Sequence, residues 1–411
     1  MPVFTSSIEV TADYPTIKPS LNFNFARSRA LDPRIIFTRA SVGTYVGRDG
    51  LIKTAGENEP RFDHDPETLE SLGLMIEEPR TNLAEYGTIV GDSNGWYNRP
   101  AFNTAVNNSI SPDGTQNATL LTNLNAESDP DLYSFEQYAI GSNKTITHTI
   151  YVKSPDAANV GKEINFRGKR TVGTASSWGQ KFILTAEWQR VTITHTYQAD
   201  NTQGRAYIGA DPNTSHPAGA ATSCLFWGLQ VEEGSFATSF IPTSGSTVTR
   251  ADDKAEVFYD GWYDNGSSVK PSTFVGKFQT YNLSATRMVA EGSNGVTLRD
   301  FSMNTMSNSS NFQFVHRYTA NDSYGSTSAG ITINTPVTFA FSFDGTGGDI
   351  TGSANGSTPT AGTDDLGGTT AGGDRMRIGS RANNSLYLNG TISELRYYKF
   401  KASSAQLLLL Q

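Results

Sequence analysis

Along much of the chain, apolar and polar side chains alternate one by one in short runs. Ile146, His148, Ile150 and Val152 fall on one parity, and Thr145, Thr147, Thr149 and Tyr151 on the other. Val191 and Ile193 alternate with Thr192 and Thr194, and Val337, Phe339, Phe341 and Phe343 with Thr338, Ala340 and Ser342. Successive side chains of a strand point to opposite faces, so each run predicts a strand with one buried face. By the same parity Leu225, Trp227, Leu229 and Val231 are expected to share a face. Turn residues separate the runs: Ser111-Pro112-Asp113-Gly114 is one such break, and Arg48-Asp49-Gly50 between Tyr45-Val46 and Leu51-Ile52 predicts a hairpin. Met376–Ser380, Leu386–Leu388 and Ile392–Tyr398 read as strands, with a turn at Asn389-Gly390. The Gly/Ser/Thr-rich stretch 344–373 is expected to hold one short strand at most. Ser403 to Leu410 is the one clear helical signal, with a serine at its start. Many short alternating strands with turns between them predict an all-β chain of sandwich or jelly-roll type.

Three units are expected. Residues 1–85 form a small, hairpin-rich module in which Pro60–Pro66 reads as a turn. Residues 86–250 carry the first set of alternating strands, and 251–411 the second. The polar, turn-rich stretch Ile241–Arg250 is expected to be the linker between the last two.

Composition narrows the function classes. Charged residues make up 18% of the 411 and aromatics 11%, with 39 glycines. That mixture suits pleated surfaces and loops better than long helices. A formal net charge of −8 argues against a phosphate-backbone partner and against anionic lipid. The single cysteine, Cys224, excludes an intrachain disulfide and a Cys-rich metal site, and its strand setting predicts a small buried side chain. No run of ~18 apolar residues is present, and Met1–Ser6 lacks the basic and apolar regions of a signal peptide.

Four elements between Leu31 and Leu83 closely resemble a module of bacteriophage tail fibre and other virion-surface proteins: Leu31–Ser41 (LDPRIIFTRAS), the hairpin Tyr45–Leu51, Pro60–Pro66 (PRFDHDP) and Gly73–Leu83. Pro79 departs from the glutamine this pattern has. The stretches Gly95-Trp96, Ser111–Thr115, Tyr151–Lys153, Trp188–Val191, Phe226–Glu232 and Ser239–Thr243 are similar to a carbohydrate-binding-module-like jelly roll. The ending Ile378–Ser380 with Leu388–Tyr398 looks like a concanavalin A-like or laminin-G-like lectin domain. The resemblance implies a structural virion protein, a tail fibre, spike or surface decoration. Such a protein is made in the host cytoplasm, carried on the particle, homotrimeric, and partnered by other virion proteins and by host surface glycan. Residues 1–85 are then the attachment or oligomerisation module.

No residue pattern points to catalysis. His64, His148, His195, His216 and His316 are scattered, and neither HExxH nor a phosphate-binding loop occurs. His64, between Asp63 and Asp65, reads as part of a turn in which the aspartates cap backbone amides. A glycosidase needs two carboxylates ~5–9.5 Å apart, and Glu187, Glu232, Glu233, Asp344 and Glu394 form no spacing that predicts such a pair. The chain is therefore read as a non-enzyme, with no nucleic-acid partner, no membrane insertion and no cofactor beyond a structural Ca²⁺. Sugar binding needs exposed rings and hydrogen-bonding side chains. Trp96, Tyr97, Trp178 and Trp262, in or beside loop-like stretches, are the candidates, while Trp188 and Trp227 read as core. Asp344, Asp349, Asp364 and Asp365, in glycine-rich loops, are the candidate oxygen ligands for Ca²⁺.

Overall fold

The computed structural model describes residues 17–28, 30–88, 96–97, 103–124, 133–135, 138–172, 177–209, 220–264, 270–294, 299–317, 322–328, 330–344, 350–362 and 372–411. Two β-sandwiches account for nearly all of them, so the all-β expectation holds.

In the middle sandwich, a sheet ordered Gln189–Thr196, Thr145–Lys153, Ser223–Glu233, Ala118–Thr122, Asn103–Ser109 faces a second one built on Ser177–Ile183, Glu163–Val172 and Gln203–Gly209. Ile146, Ile150, Val152, Val191 and Ile193 from the first sheet pack on Ile164, Phe166, Ala206 and Ile208 from the second. Cys224 is buried there. The expected shared face of Leu225, Trp227, Leu229 and Val231 does not form. Cys224, Phe226, Leu229 and Val231 point into the core, and Trp227 packs on the other side with Ala118 and Phe240. The parity slips at Gly228, whose φ of 69° is the left-handed conformation open to glycine, and the ladder with Thr145–Lys153 shifts register there. One extra residue in a strand swaps every later side chain to the opposite face.

The second sandwich pairs an eight-stranded with a seven-stranded sheet among the described residues. Its core is a block of phenylalanines, among them Phe274, Phe278, Phe301, Phe312, Phe314, Phe339, Phe341 and Phe343. Leu21–Asn24 and Ser71–Ile76 both pair with Gly390–Tyr398, and Phe62–His64 extends from Ser71–Ile76. Ile35–Thr38 pairs with Lys254–Phe258. Strands from the first 85 residues thus complete both C-terminal sheets, and Leu21, Phe23, Ile35, Leu74 and Ile76 share that core. Among the described residues, the hairpin Gly43–Val46 with Ile52–Ala55 makes a two-stranded sheet of its own.

The middle sandwich is accordingly an insertion. The chain leaves for it after Arg80–Asn82 and returns at Val248–Arg250, and these two strands pair with each other. Ile241–Arg250 is not a free linker: Ile241, Thr243 and Arg250 are buried. Further corrections are local. Phe62–His64 within the expected turn is a strand, and Leu386–Leu388 is coil. Among the described residues of stretch 344–373 there are two strands, Ile350–Ala354 and Thr360–Ala361, where one at most is expected.

The helix Ser404–Leu410 forms as expected. Ser403 Oγ accepts from Gln406 N at 3.3 Å and Gln406 Oε1 accepts from Ser403 N at 2.9 Å, a reciprocal cap. Leu407 and Leu410 cover Val275 and Ala340 on the outer side of the eight-stranded sheet. Among the described residues no helix is long and apolar enough to cross a membrane.

Candidate functional site

The motif residues of the N-terminal stretch converge on a buried charge network. Arg39, Arg61 and Arg250 meet Glu77 and Asp253, and each of the five side chains is at most 1% exposed. Arg39 Nη1 lies 3.1 Å from Asp253 Oδ1, and Arg61 Nη2 donates to Asp253 Oδ2. Arg61 Nη1 and Arg250 Nη1 both reach Glu77 Oε2, at 2.8 and 2.5 Å. Ser239 closes the ring, its N and Oγ donating to the two Glu77 oxygens at 2.7 Å each. Burial alone would push the Glu77 carboxyl up, but the charges of Arg250 and Arg61 outweigh it and hold the group down at about 2. Neighbouring Glu78 turns the other way, to Arg80 at 2.5 Å and Arg287 at 3.6 Å. Both guanidinium groups sit over the Phe236 ring, 4.8 and 5.3 Å from its centre. Asn82 completes the joint: its amide donates to Leu229 O and Ile241 O and its carbonyl accepts from Ala84 N and Val231 N. These residues tie the insertion to the sandwich that carries it.

Beside this network lies a cleft of about 520 Å³ where the three sequence regions meet. One wall is the outer face of the middle sandwich, with Tyr151, Arg190 and the exposed Thr192 and Thr194. The hairpin supplies Thr44, Tyr45 and Ile52, and the C-terminal unit supplies Tyr281, Asn282 and the exposed Ile333. Arg190 lies over the Tyr151 ring, its carbon 5.6 Å from the centre, and donates to Thr238 O at 2.7 Å and Thr149 Oγ1 at 3.0 Å. Asn282 Nδ2 donates to Ser235 Oγ at 3.2 Å across the cleft mouth. Among the lining residues Asp63 is the one carboxylate. It accepts from Val46 N at 2.7 Å and from the Tyr281 hydroxyl at 3.4 Å, and burial raises it to about 7. Burial, then the charge of Asp63, pushes the Tyr281 phenol well above its ordinary value. The cleft thus offers rings, hydroxyls, an amide and a guanidinium, with no pair of facing carboxylates among its lining residues.

The residues expected to bind ligand lie elsewhere. Trp262 lies in a turn, as the loop reading expects, but it is core, 2% exposed, and donates from Nε1 to Phe258 O at 2.6 Å, so the expected exposed ring is corrected. Just beyond the strand Lys254–Phe258, Tyr259 packs edge-on to Trp262, and Trp262 and Tyr263 both pack on Tyr397. Trp178 is half-buried and stacks on His195 with ring centres 3.9 Å apart, edge-on to Tyr197 at 4.6 Å. Trp96 and Tyr97 pair through their backbones with Phe135 and Ser134, and their side chains lie outside the described residues. Of the strand tryptophans, Trp227 is core, whereas Trp188 is half-buried in coil, donating to Ile110 O at 3.0 Å. Asp344 is exposed and held by Lys401 Nζ at 2.9 Å; Asp349, Asp364 and Asp365 lie outside the described residues. Among the described residues no three His, Cys, Asp or Glu side chains are grouped as a metal site. Asp65 caps the amides of Glu67 and Thr68 at 2.9 and 2.8 Å, as the turn reading expects.

Sequence reasoning passed over the charge network and the cleft. One signal for the network was present: Arg39, Arg61 and Glu77 each sit within or beside apolar strand sequence, where a charge needs a buried partner.

No protein-family model matches the sequence, and none of the curated proteins matches it. Solved structures show partial likeness. The CBM40 module of the Ruminococcus gnavus IT-sialidase, solved with α2,3-sialyllactose, is 17% identical over 35% of this chain and 83% of that one, at a TM-score of 0.30. Domain 4 of the GH43 arabinanase AbnA from Geobacillus stearothermophilus, in complex with arabinotriose, is 15% identical over 44% and 83%, at 0.30. The NanB sialidase from Streptococcus pneumoniae is 17% identical over 38% of this chain, which spans 26% of that chain, at 0.32. Each likeness is confined to part of the chain, at an identity and a TM-score too low to carry a ligand or an activity across.

Proposed function

We propose that this protein is a structural component of a bacteriophage virion, a tail fibre, spike or surface decoration, that meets host cell-surface glycan during adsorption. The virion setting rests on the four-element resemblance between Leu31 and Leu83. The observation that carries the glycan reading is the three-way cleft. Its rings suit the apolar face of a sugar, and Thr192, Thr194, Asn282 and Arg190 supply hydrogen bonds for hydroxyls. The rigid joint beside it keeps the walls in place, so little ordering free energy is lost on binding. The single carboxylate in the lining supports a binding role over hydrolysis, which uses two. Display of several copies, as in a trimer, would raise weak single-site affinity through avidity.

The burial of Trp262 and the packing of Trp178 favour a second reading, a decoration protein whose sandwiches bind no sugar. One experiment separates the two. Purified protein is added to host cells before the phage that carries it, alongside the variant Thr192→Trp, which fills the cleft from an exposed position. Native protein is expected to block adsorption and the variant to lose that block while melting at the same temperature. Equal behaviour of the two proteins overturns the cleft as the site.

A further inference from the structure

The hairpin Gly43–Val46/Ile52–Ala55 has a second concavity beside it. Tyr45 lines the cleft described above and also a groove of about 1070 Å³. Ala26, Arg27 and Ser28 form one side of this groove, the hairpin tip Gly47–Asp49 with Lys53 and Thr54 another, and Phe62, His64, Leu69 and Ser71 the rest.

Its charge runs against the rest of the molecule. The chain carries −8, yet Arg27, Arg48, Lys53 and His64 line the groove against one carboxylate, Asp49. Lys53 Nζ lies 2.7 Å from Asp49 Oδ2, so these two charges offset each other. Among the described residues no carboxylate pairs with Arg27 or Arg48, and both are exposed. Nearby Asp65 is occupied by the amides of its own turn. Two guanidinium groups are left to meet an anion, and their planar donors match a carboxylate in bidentate fashion.

The backbone supplies an independent observation. Leu69 is held at φ 61°, a left-handed conformation that a leucine rarely adopts. A bond from Leu69 N to Asp65 O at 2.9 Å, and one from Asp65 N to Glu70 O at 2.9 Å, keep it there. The result is a leucine side chain 48% exposed at the groove rim. Strain that displays an apolar group next to unpaired guanidiniums and the half-buried rings of Phe62 and Tyr45 is what a ligand with one apolar and one anionic part would use.

We infer that this groove is a second binding site, separate from the three-way cleft, for a carboxylate-bearing saccharide. The sugar carboxylate is taken by Arg27 and Arg48, and a pyranose face rests on Leu69, Phe62 and Tyr45. The inference extends the glycan-facing reading to a new place, and it stands or falls independently of the first cleft.

The test is calorimetric titration of the full chain with trigalacturonate and, as the uncharged counterpart, galactotriose. Trigalacturonate is expected to bind at least about tenfold more tightly than galactotriose, and to weaken as salt rises from about 0.05 to about 0.5 M. The double variant Arg27→Ala/Arg48→Ala should lose at least about tenfold in affinity with its melting temperature unchanged, because both side chains are exposed. Thr192→Trp, in the other cleft, should bind trigalacturonate like the native chain. Equal binding of the two sugars, full binding by the double variant, or no heat at about 10 mM sugar would each overturn the site, and none of these would bear on the first cleft.

Discussion

Glu77 Oε2 accepts a hydrogen bond from Arg250 Nη1 at 2.5 Å, although 173 positions separate the two residues in sequence. The whole middle sandwich lies between them. Their contact therefore marks where the inserted unit leaves and rejoins its host, beside the paired strands Arg80–Asn82 and Val248–Arg250. Replacing Glu77 by alanine strands Arg61 and Arg250 as buried cations facing one remaining carboxylate, Asp253. Loss of one partner from a buried ion pair costs about 3–5 kcal/mol. Urea unfolding is expected to show Glu77→Ala destabilised by that order. An unchanged midpoint would mean that the network is solvated and carries little.

Asp63 gives stability an unusual pH dependence. Its folded value, about 7, lies above the ordinary 3.8, so the folded chain keeps a proton that the unfolded chain releases. Its contribution is therefore lost as pH rises from about 4 to 7 and is flat above. Displacement from 3.8 to about 7 corresponds to about 4 kcal/mol as an upper order of magnitude. Asp63→Asn keeps an acceptor for Val46 N and has no proton to lose. It should gain on the native protein through that window and stay more stable at pH 8, read from thermal melts across pH. Parallel melting profiles for the two proteins would refute the buried carboxyl.

Acid should act through other groups. Burial, then the charge of His195, holds His148 down at about 3, with Tyr138 bonded to its Nε2 and, among the described residues, no partner at Nδ1. A histidine depressed in the fold loses stability as pH falls from 6.5 toward 3. Glu77, held near 2, adds a loss from 4.5 toward 2. His148→Gln is expected to flatten the upper part of the acid limb and leave the lower part, which reports Glu77. A limb unaffected by His148→Gln would assign the loss elsewhere.

At Gly228 a Cβ would sit 3.1 Å from Tyr151 Cδ2, in a backbone conformation of φ 69°. Gly228→Val should destabilise by about 1–3 kcal/mol, and Gly228→Asn by less, because asparagine tolerates the left-handed region. Equal effects would show that crowding rather than backbone conformation sets the cost.

Trp262→Ala is expected to cost about 3–5 kcal/mol, as for other large core deletions. Any sugar binding it loses should track the unfolded fraction. Loss of binding by a fully folded Trp262→Ala protein would return that residue to the ligand site.

Much of the fold is legible in the alternation of side chains, because a strand's two faces are a local property. Val337–Phe343, Thr145–Lys153 and the capped helix at Ser404 need only their own residues to be recognised. Leu225–Val231 shows the limit: one glycine moves a strand out of phase, and only the partner strand reveals whether it does. The tryptophans mislead for a related reason, since a ring in loop-like sequence is as readily folded inward, as Trp262 is.

Period and turn chemistry, acting over a few residues, make the class of structure readable from the chain, together with the inward faces of strands such as Thr145–Lys153 and Val337–Phe343. It takes the folded chain to show that Leu21, Ile35 and Leu74 complete the C-terminal core, that Arg39, Arg61, Glu77, Arg250 and Asp253 share one buried site, and that Asp63, Tyr151 and Tyr281 face a common cleft. Those contacts join positions up to hundreds of residues apart. Burial and charge pairing select them in space, and neither leaves a period along the chain.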